Sequence, residues 1–373
     1  MSRFGLISSG KLNLLRAATL VSAITWLPLL VLTLIEGTAI GSLVAIPFLA
    51  DYMPYGRYLV APLLLLLMDQ VVERRTALAL GHFRETGLII AADRERFERM
   101  VATAERLWRN RFVRWGFVLV VFGLAAPTFA RIQRLGISDW MMFARPSGDA
   151  APNLAGLWNV FVSAPLVRLL FLRAFWKLAV WAWLLSRLSR LELQINPMHP
   201  DRRCGLHFLG ETQLAFTPLI VALGVQLGCA TAVAVQYLGF PLPGFRWGVA
   251  GFVVLALALT VGPLVVFMRG SWMAKEWGQD AYSSWSIDAV NEMTSRLKRL
   301  RQEGRAPRLD GPEISTVTDA GALFERVLQT RPLPVDTRQV VTVLLAATAS
   351  TLLPLVALLP LRKIVAQLAS MLL

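Results

Sequence analysis

Seven stretches of this chain are each about long enough to cross a hydrocarbon layer of roughly 30 Å. They lie near residues 17–35, 57–72, 112–130, 157–186, 213–237, 247–268 and 340–361. A chain with such segments can satisfy its backbone in lipid only as helices or as a closed barrel. Leucine, valine and alanine come in blocks without strict alternation, which selects helices. The expected fold is therefore an all-α, polytopic membrane protein with about seven transmembrane helices and helical segments between them. Composition agrees. Of the 373 residues, 55% are hydrophobic and 17% charged, against about 25% charged in soluble domains. The first apolar run is too long for a signal peptide and lacks a small-residue cleavage site after it, so it reads as a retained helix.

Basic residues set the orientation. With the N-terminus in the cytoplasm, segments 1–16, 73–114, 187–211 and 269–338 hold 28 of the 38 Lys and Arg residues, and the outer segments hold 7. This is the positive-inside pattern, and it predicts a bacterial inner (plasma) membrane protein with a cytoplasmic N-terminus. The domain order that follows is a first hairpin over 1–72, a helical segment over 73–111 and a second hairpin over 112–186. An elbow over 187–211, a third hairpin over 212–268, a helical segment over 269–337 and a last helix with its tail over 338–373 complete it. Pro354 and Pro360 interrupt that last helix, so a kinked or re-entrant course is open.

The formal net charge of +14 suits anionic lipid headgroups beside membrane spans, and nucleic acid is not expected as a partner. Two cysteines, Cys204 and Cys229, give no disulfide framework. No cofactor motif is present. Amphipathic helices are expected over 73–111, with Gly87 and Asp93 separating and capping them, and over 284–303, with Ile287, Val290, Met293, Leu297 and Leu300 on one face. Such faces pack on neighbours or dock a cytoplasmic protein partner or a second copy in a homo-oligomer. "YLVAPLLLLLMD" and "FVSAPLVRLLFL" share an Ala-Pro-Leu step about 103 residues apart, a faint internal repeat of the sort found in transporters.

The fourth span, "APLVRLLFLRAFWKLAVWAWLLSRL", carries Arg168, Arg173 and Lys177. A cation in hydrocarbon is costly. At 100° per residue Arg173 and Lys177 share a face, while Arg168 points elsewhere and can snorkel. Arg173 sits near the middle of the apolar run and cannot lose its proton. Asp69 is the intramembrane partner the sequence offers. Either an ion pair locks two helices, or the cations line a wet path as pore or anion contacts.

"INPMHPDRRCGLHFLGE", residues 195–211, holds two of the three histidines. His199, Asp201, Cys204 and His207 are near enough in sequence to be zinc ligands, but the spacing fits no zinc pattern. The leading reading is a cytoplasmic elbow built on His199, Pro200, Asp201, Arg202 and Gly205. Pro197 ends the helix leaving the fourth span, Asp201 accepts backbone N–H groups, and Gly205 takes an unusual backbone angle. Arg202 and Arg203 meet headgroups or an acidic loop. "HPDRRCGLHFLG" resembles the His-Pro-Asp-Arg…Gly-Leu…Phe-Leu-Gly signature of a group of uncharacterised bacterial polytopic inner-membrane proteins. The match covers about 30 residues, with "LSRLSRLELQINPM" before it and "ETQLAFTPLIVALG" after it. It implies a polytopic fold and brings no activity. Cys204 and His207 depart from that signature, whose small residues at these positions disfavour zinc.

Three function classes remain. A conduit or carrier for an anion or small solute comes first. A membrane sensor, defence or scaffold protein acting through its cytoplasmic helices comes second. An interfacial enzyme on a lipid-linked substrate comes third, although no catalytic residue stands out. Single cysteines placed in 73–111, 195–211 and 269–337 of a Cys-free variant should resist an impermeant thiol reagent applied to intact cells. Labelling in any of the three segments would overturn the orientation.

Overall fold

The computed structural model describes residues 10–123, 127, 139–144, 150–304 and 311–356. The helices are α1 (Gly10–Ile35), α2 (Tyr52–Glu85), α3 (Arg94–Trp108), α4 (Arg111–Gly123) and α5 (Leu154–Leu188). They continue with α6 (His207–Tyr237), α7 (Pro243–Gln302), α8 (Gly311–Gln329) and α9 (Thr337–Val356). A short antiparallel pair, Met142–Ala144 with Ala150–Pro152, is the one departure from helix among the named elements. Six helices, α1, α2, α5, α6, α7 and α9, are long and apolar enough to cross a membrane. The expected span over 112–130 is described as α4 only to Gly123, and most of its remainder lies outside the described residues. So do the end of the last span beyond Val356 and the Pro307 stretch.

The segments expected to share one side of the membrane do meet at one end of the bundle. Gln194 N–H donates to the Leu88 carbonyl (2.8 Å), Thr330 Oγ1 to the Pro197 carbonyl (2.8 Å), and Lys275 Nζ to the Thr330 carbonyl (2.7 Å). This is the basic end. At the opposite, cap end, Trp140 Nε1 donates to Asp51 (2.9 Å), and Glu36 accepts the Leu154 N–H (2.7 Å).

The Ala-Pro-Leu repeat has a structural counterpart. Pro62 and Pro165 have no N–H to offer the carbonyl four residues back, so each helix opens into one wide π turn just before its proline. These turns span Tyr55–Val60 and Asn159–Ser163. In each, the alanine N–H reaches five residues back, Ala61 to Gly56 and Ala164 to Asn159. The two turns touch, with Tyr58 Oη donating to Asn159 Oδ1. From there α2 and α5 run side by side in the same direction. The core against them includes Met68, Val72, Trp181, Leu185, Phe216 and Leu219, all buried. Trp181 Nε1 donates to Gln213 (3.1 Å), whose own amide reaches the Leu259 carbonyl (3.1 Å), tying α5, α6 and α7 together. Close approach of α6 and α9 requires Gly224 and Gly228. A methyl group at either would run into Ser350 or the Thr351 carbonyl, the small-residue packing usual between membrane helices.

Candidate functional site

Two places bring polar groups together. The first is the α2–α5 contact. Asp69 and Glu73 are four residues apart on α2, and Arg173 and Lys177 are four apart on α5, so each pair presents one face. Parallel running brings the faces into register. Arg173 pairs with Asp69 Oδ2, Lys177 with Asp69 Oδ1, and Lys177 Nζ also reaches Glu73 at 2.8 Å. The Lys177 ammonium lies 5.4 Å from the centre of the Trp108 ring. Trp176 Nε1 donates to the Leu107 carbonyl (3.1 Å), which fastens the end of α3 to α5. Lys177 is 1% exposed, whereas the Arg173 and Glu73 side chains are 52% and 42% exposed. The network is two cations against two carboxylates.

The helix that carries Arg173 begins at Leu154, so at 1.5 Å per residue Arg173 lies about 29 Å from that end, and Asp69 about 26 Å from Tyr52. The hydrocarbon layer is about 30 Å thick. Both helices, 34 and 35 residues long, exceed that thickness, and the network lies near the middle of each helix's length. Arg168 is nearer the cap end, half-buried, and makes no ion pair with any described residue. Beside the network, α5 and the α3–α4 junction enclose a pocket of about 490 Å³, into which Arg109, Asn110, Arg114 and Arg173 face with Phe117 and Leu170.

The second place is the elbow. Asp201 Oδ1 accepts the Arg203 and Gly205 N–H groups (2.8 and 3.1 Å), and Oδ2 accepts that of His207 (3.2 Å). His199 Nδ1 is 2.9 Å from Oδ1. Burial alone would raise the Asp201 pKa, but these partners hold it below the usual carboxylate value. Such bonding lets Arg202, Cys204 and Gly205 take positive φ angles of 55°, 60° and 85°, a conformation easy only for glycine. Arg203 is 6% exposed and reaches the Leu333 carbonyl (3.0 Å) and Asp336 (3.4 Å) instead of a headgroup. Arg202 is exposed. The fourth-span helix ends at Leu188, nine residues before Pro197, because residues around Leu193 pair in extended form with Ile89.

A cleft of about 1110 Å³ opens between the elbow and the end of α2, lined by all three histidines, His82, His199 and His207. Its walls are largely apolar. Phe208 packs on His82 with ring centres 4.2 Å apart, and His207 Nε2 is 3.8 Å from Glu211. Among the described residues no three His, Cys, Asp or Glu side chains are grouped to hold a metal ion. Cys204 is fully buried, and burial, with Asp201 nearby, pushes its thiol pKa to about 11.

The structure thus brings together Asp69, Arg173 and Lys177, and separately His199, Asp201, Gly205 and His207. It adds Glu73, Trp108, Arg109, Arg114 and His82, which sequence reasoning passed over. Glu73 carried a usable signal, since it stands four residues after Asp69 as Lys177 stands four after Arg173. Comparison with family models, with curated proteins and with solved structures finds no match.

Asp201→Ala should destabilise the protein by about 0.5–2 kcal/mol, the usual worth of a backbone cap. Because the folded-state pKa is depressed, the carboxylate's contribution is fully present above about pH 4 and is lost as pH falls through the folded value. Thermal unfolding in detergent should show the gap between wild type and variant at pH 7 and its closing in acid. A gap unchanged at pH 3 would contradict the assigned role.

Proposed function

We propose that this is a bacterial inner-membrane protein, with its basic end in the cytoplasm, that works as a membrane-embedded sensor or scaffold through the helices at that end. The observation that carries this reading is the outward half of α7. The helix tightens to 3-10 geometry over Gly262–Phe267 and then continues through Met268–Gln302, which bears ten charged residues and so does not lie in hydrocarbon. Yet Trp285, Ile287 and Val290 are 42%, 58% and 46% exposed there. Part of the stripe expected over 284–303, Met293, Leu297 and Leu300, is half-buried where α8 lies along α7, while Ile287 and Val290 stay open. Apolar patches rimmed by charge are where partners dock. Within the bundle the fourth-span cations Arg173 and Lys177 are taken up by Asp69 and Glu73, which leaves little for an ion path to use.

A second reading, a conduit or carrier for an anion or small solute, is favoured by the half-exposed Arg173 at a pocket and by the Ala-Pro-Leu repeat. One set of measurements separates the two. Purified protein in liposomes should pass no small ion. Ile287→Asp with Val290→Asp should leave stability within about 0.5 kcal/mol, as surface changes do, while abolishing the cross-linked assemblies that cysteines on α7 report in intact membranes. Anion flux altered by Arg173→Gln, with cross-linking untouched, would establish the conduit instead.

A further inference from the structure

The pocket between α5 and the α3–α4 junction is built for one kind of ligand. Its lining includes Arg109, Arg114, Arg173 and Lys177 against a single carboxylate, Glu73, and Glu73 is already engaged by Lys177 at 2.8 Å. Counting Asp69 behind Arg173, four cations still face two carboxylates. Trp108 Nε1, also in the wall, is buried and has no hydrogen-bond partner, an arrangement that costs free energy unless something accepts that proton. Asn110 Oδ1 is occupied by the Phe112 N–H (2.8 Å), which leaves its amide with hydrogen-bond donors to offer. The polar side of the pocket is thus donor-rich and positive.

The other side is apolar, with Val113, Phe117, Val118, Leu169 and Leu170. On its other face α4 is also apolar, with Phe112, Trp115 and Leu119 73%, 66% and 74% exposed. The pocket lies where the charged helix α3 gives way to the apolar helix α4, the kind of boundary at which headgroups meet hydrocarbon. A compact anion would meet the arginines but leave the apolar wall empty.

We propose that this pocket binds one anionic phospholipid, its phosphate held by Arg109, Arg114 and Arg173 with Trp108 donating to a phosphate oxygen, and an acyl chain laid against Phe117, Val118 and Leu170. Arginine suits a phosphate because its fork of donors matches two oxygens at once. The assignment rests on this geometry and stands apart from the sensor or scaffold reading, whose test involves α7.

The test uses the full chain, delipidated in detergent, with phosphatidylglycerol, phosphatidylcholine or glycerol phosphate added back. Native mass spectrometry and thermal stability are read together. The expected result is one retained phosphatidylglycerol per chain and a matching rise in Tm, with phosphatidylcholine held far more weakly. Arg109→Gln with Arg114→Gln, which leaves the Lys177 network intact, should weaken phosphatidylglycerol retention by about tenfold or more, with the lipid-free Tm unchanged. A control pair, Arg94→Gln with Arg96→Gln, should bind as wild type does. Equal retention of the two lipids, or no effect of the Arg109 and Arg114 changes, would overturn the site. Glycerol phosphate raising Tm as far as the lipid does would overturn the lipid assignment in favour of a free phosphate ester.

Discussion

A buried ammonium group is what the rest of this bundle has to accommodate. Lys177 is 1% exposed and has exchanged water for Asp69, Glu73 and the face of Trp108. Desolvating such a charge costs several kcal/mol, which only well-placed partners offset. The geometry those partners need is supplied farther up the same helices. Two prolines open two wide turns at equivalent places, Tyr58 and Asn159 join them, and the helices then descend in parallel at a fixed offset. Asp69 and Glu73 arrive opposite Arg173 and Lys177 for that reason. The repeated Ala-Pro-Leu step and the charge network are two consequences of one pairing of helices.

Function divides along the same line. The network consumes Arg173 and Lys177, two of the three cations that made the fourth span look like an ion path. What it leaves open lies outward from it. Arg109, Arg114 and the half-exposed Arg173 line a pocket, and the distal half of α7 carries exposed apolar side chains.

Some of this was legible in the sequence because few alternatives existed. An arginine in an apolar helix needs a carboxylate, and Asp69 was the evident one. Asp201 was readable as a backbone cap because its role is local, within six residues. Glu73 was passed over because it opens a basic, charged segment and was counted as part of it, although its spacing from Asp69 mirrors that of Lys177 from Arg173. Long-range pairings defeated the rest. Nothing near Leu188 says that the helix stops there, since the cause is extended pairing with Ile89. Nothing near Arg203 points to Asp336, 133 positions away.

The account stands on Lys177 and Asp69 as one unit, and a double-mutant cycle on unfolding in detergent tests it most directly. Asp69→Leu alone should cost about 3–5 kcal/mol, because it leaves a buried ammonium with only the half-exposed Glu73. Lys177→Leu alone should cost less, since Asp69 keeps Arg173. The double leucine variant should recover most of the loss, giving a coupling of about 3 kcal/mol or more, at or above the upper end for residues that act together. Losses that simply add, or an Asp69→Leu variant as stable as wild type, would contradict the claim that this pair holds α2 against α5.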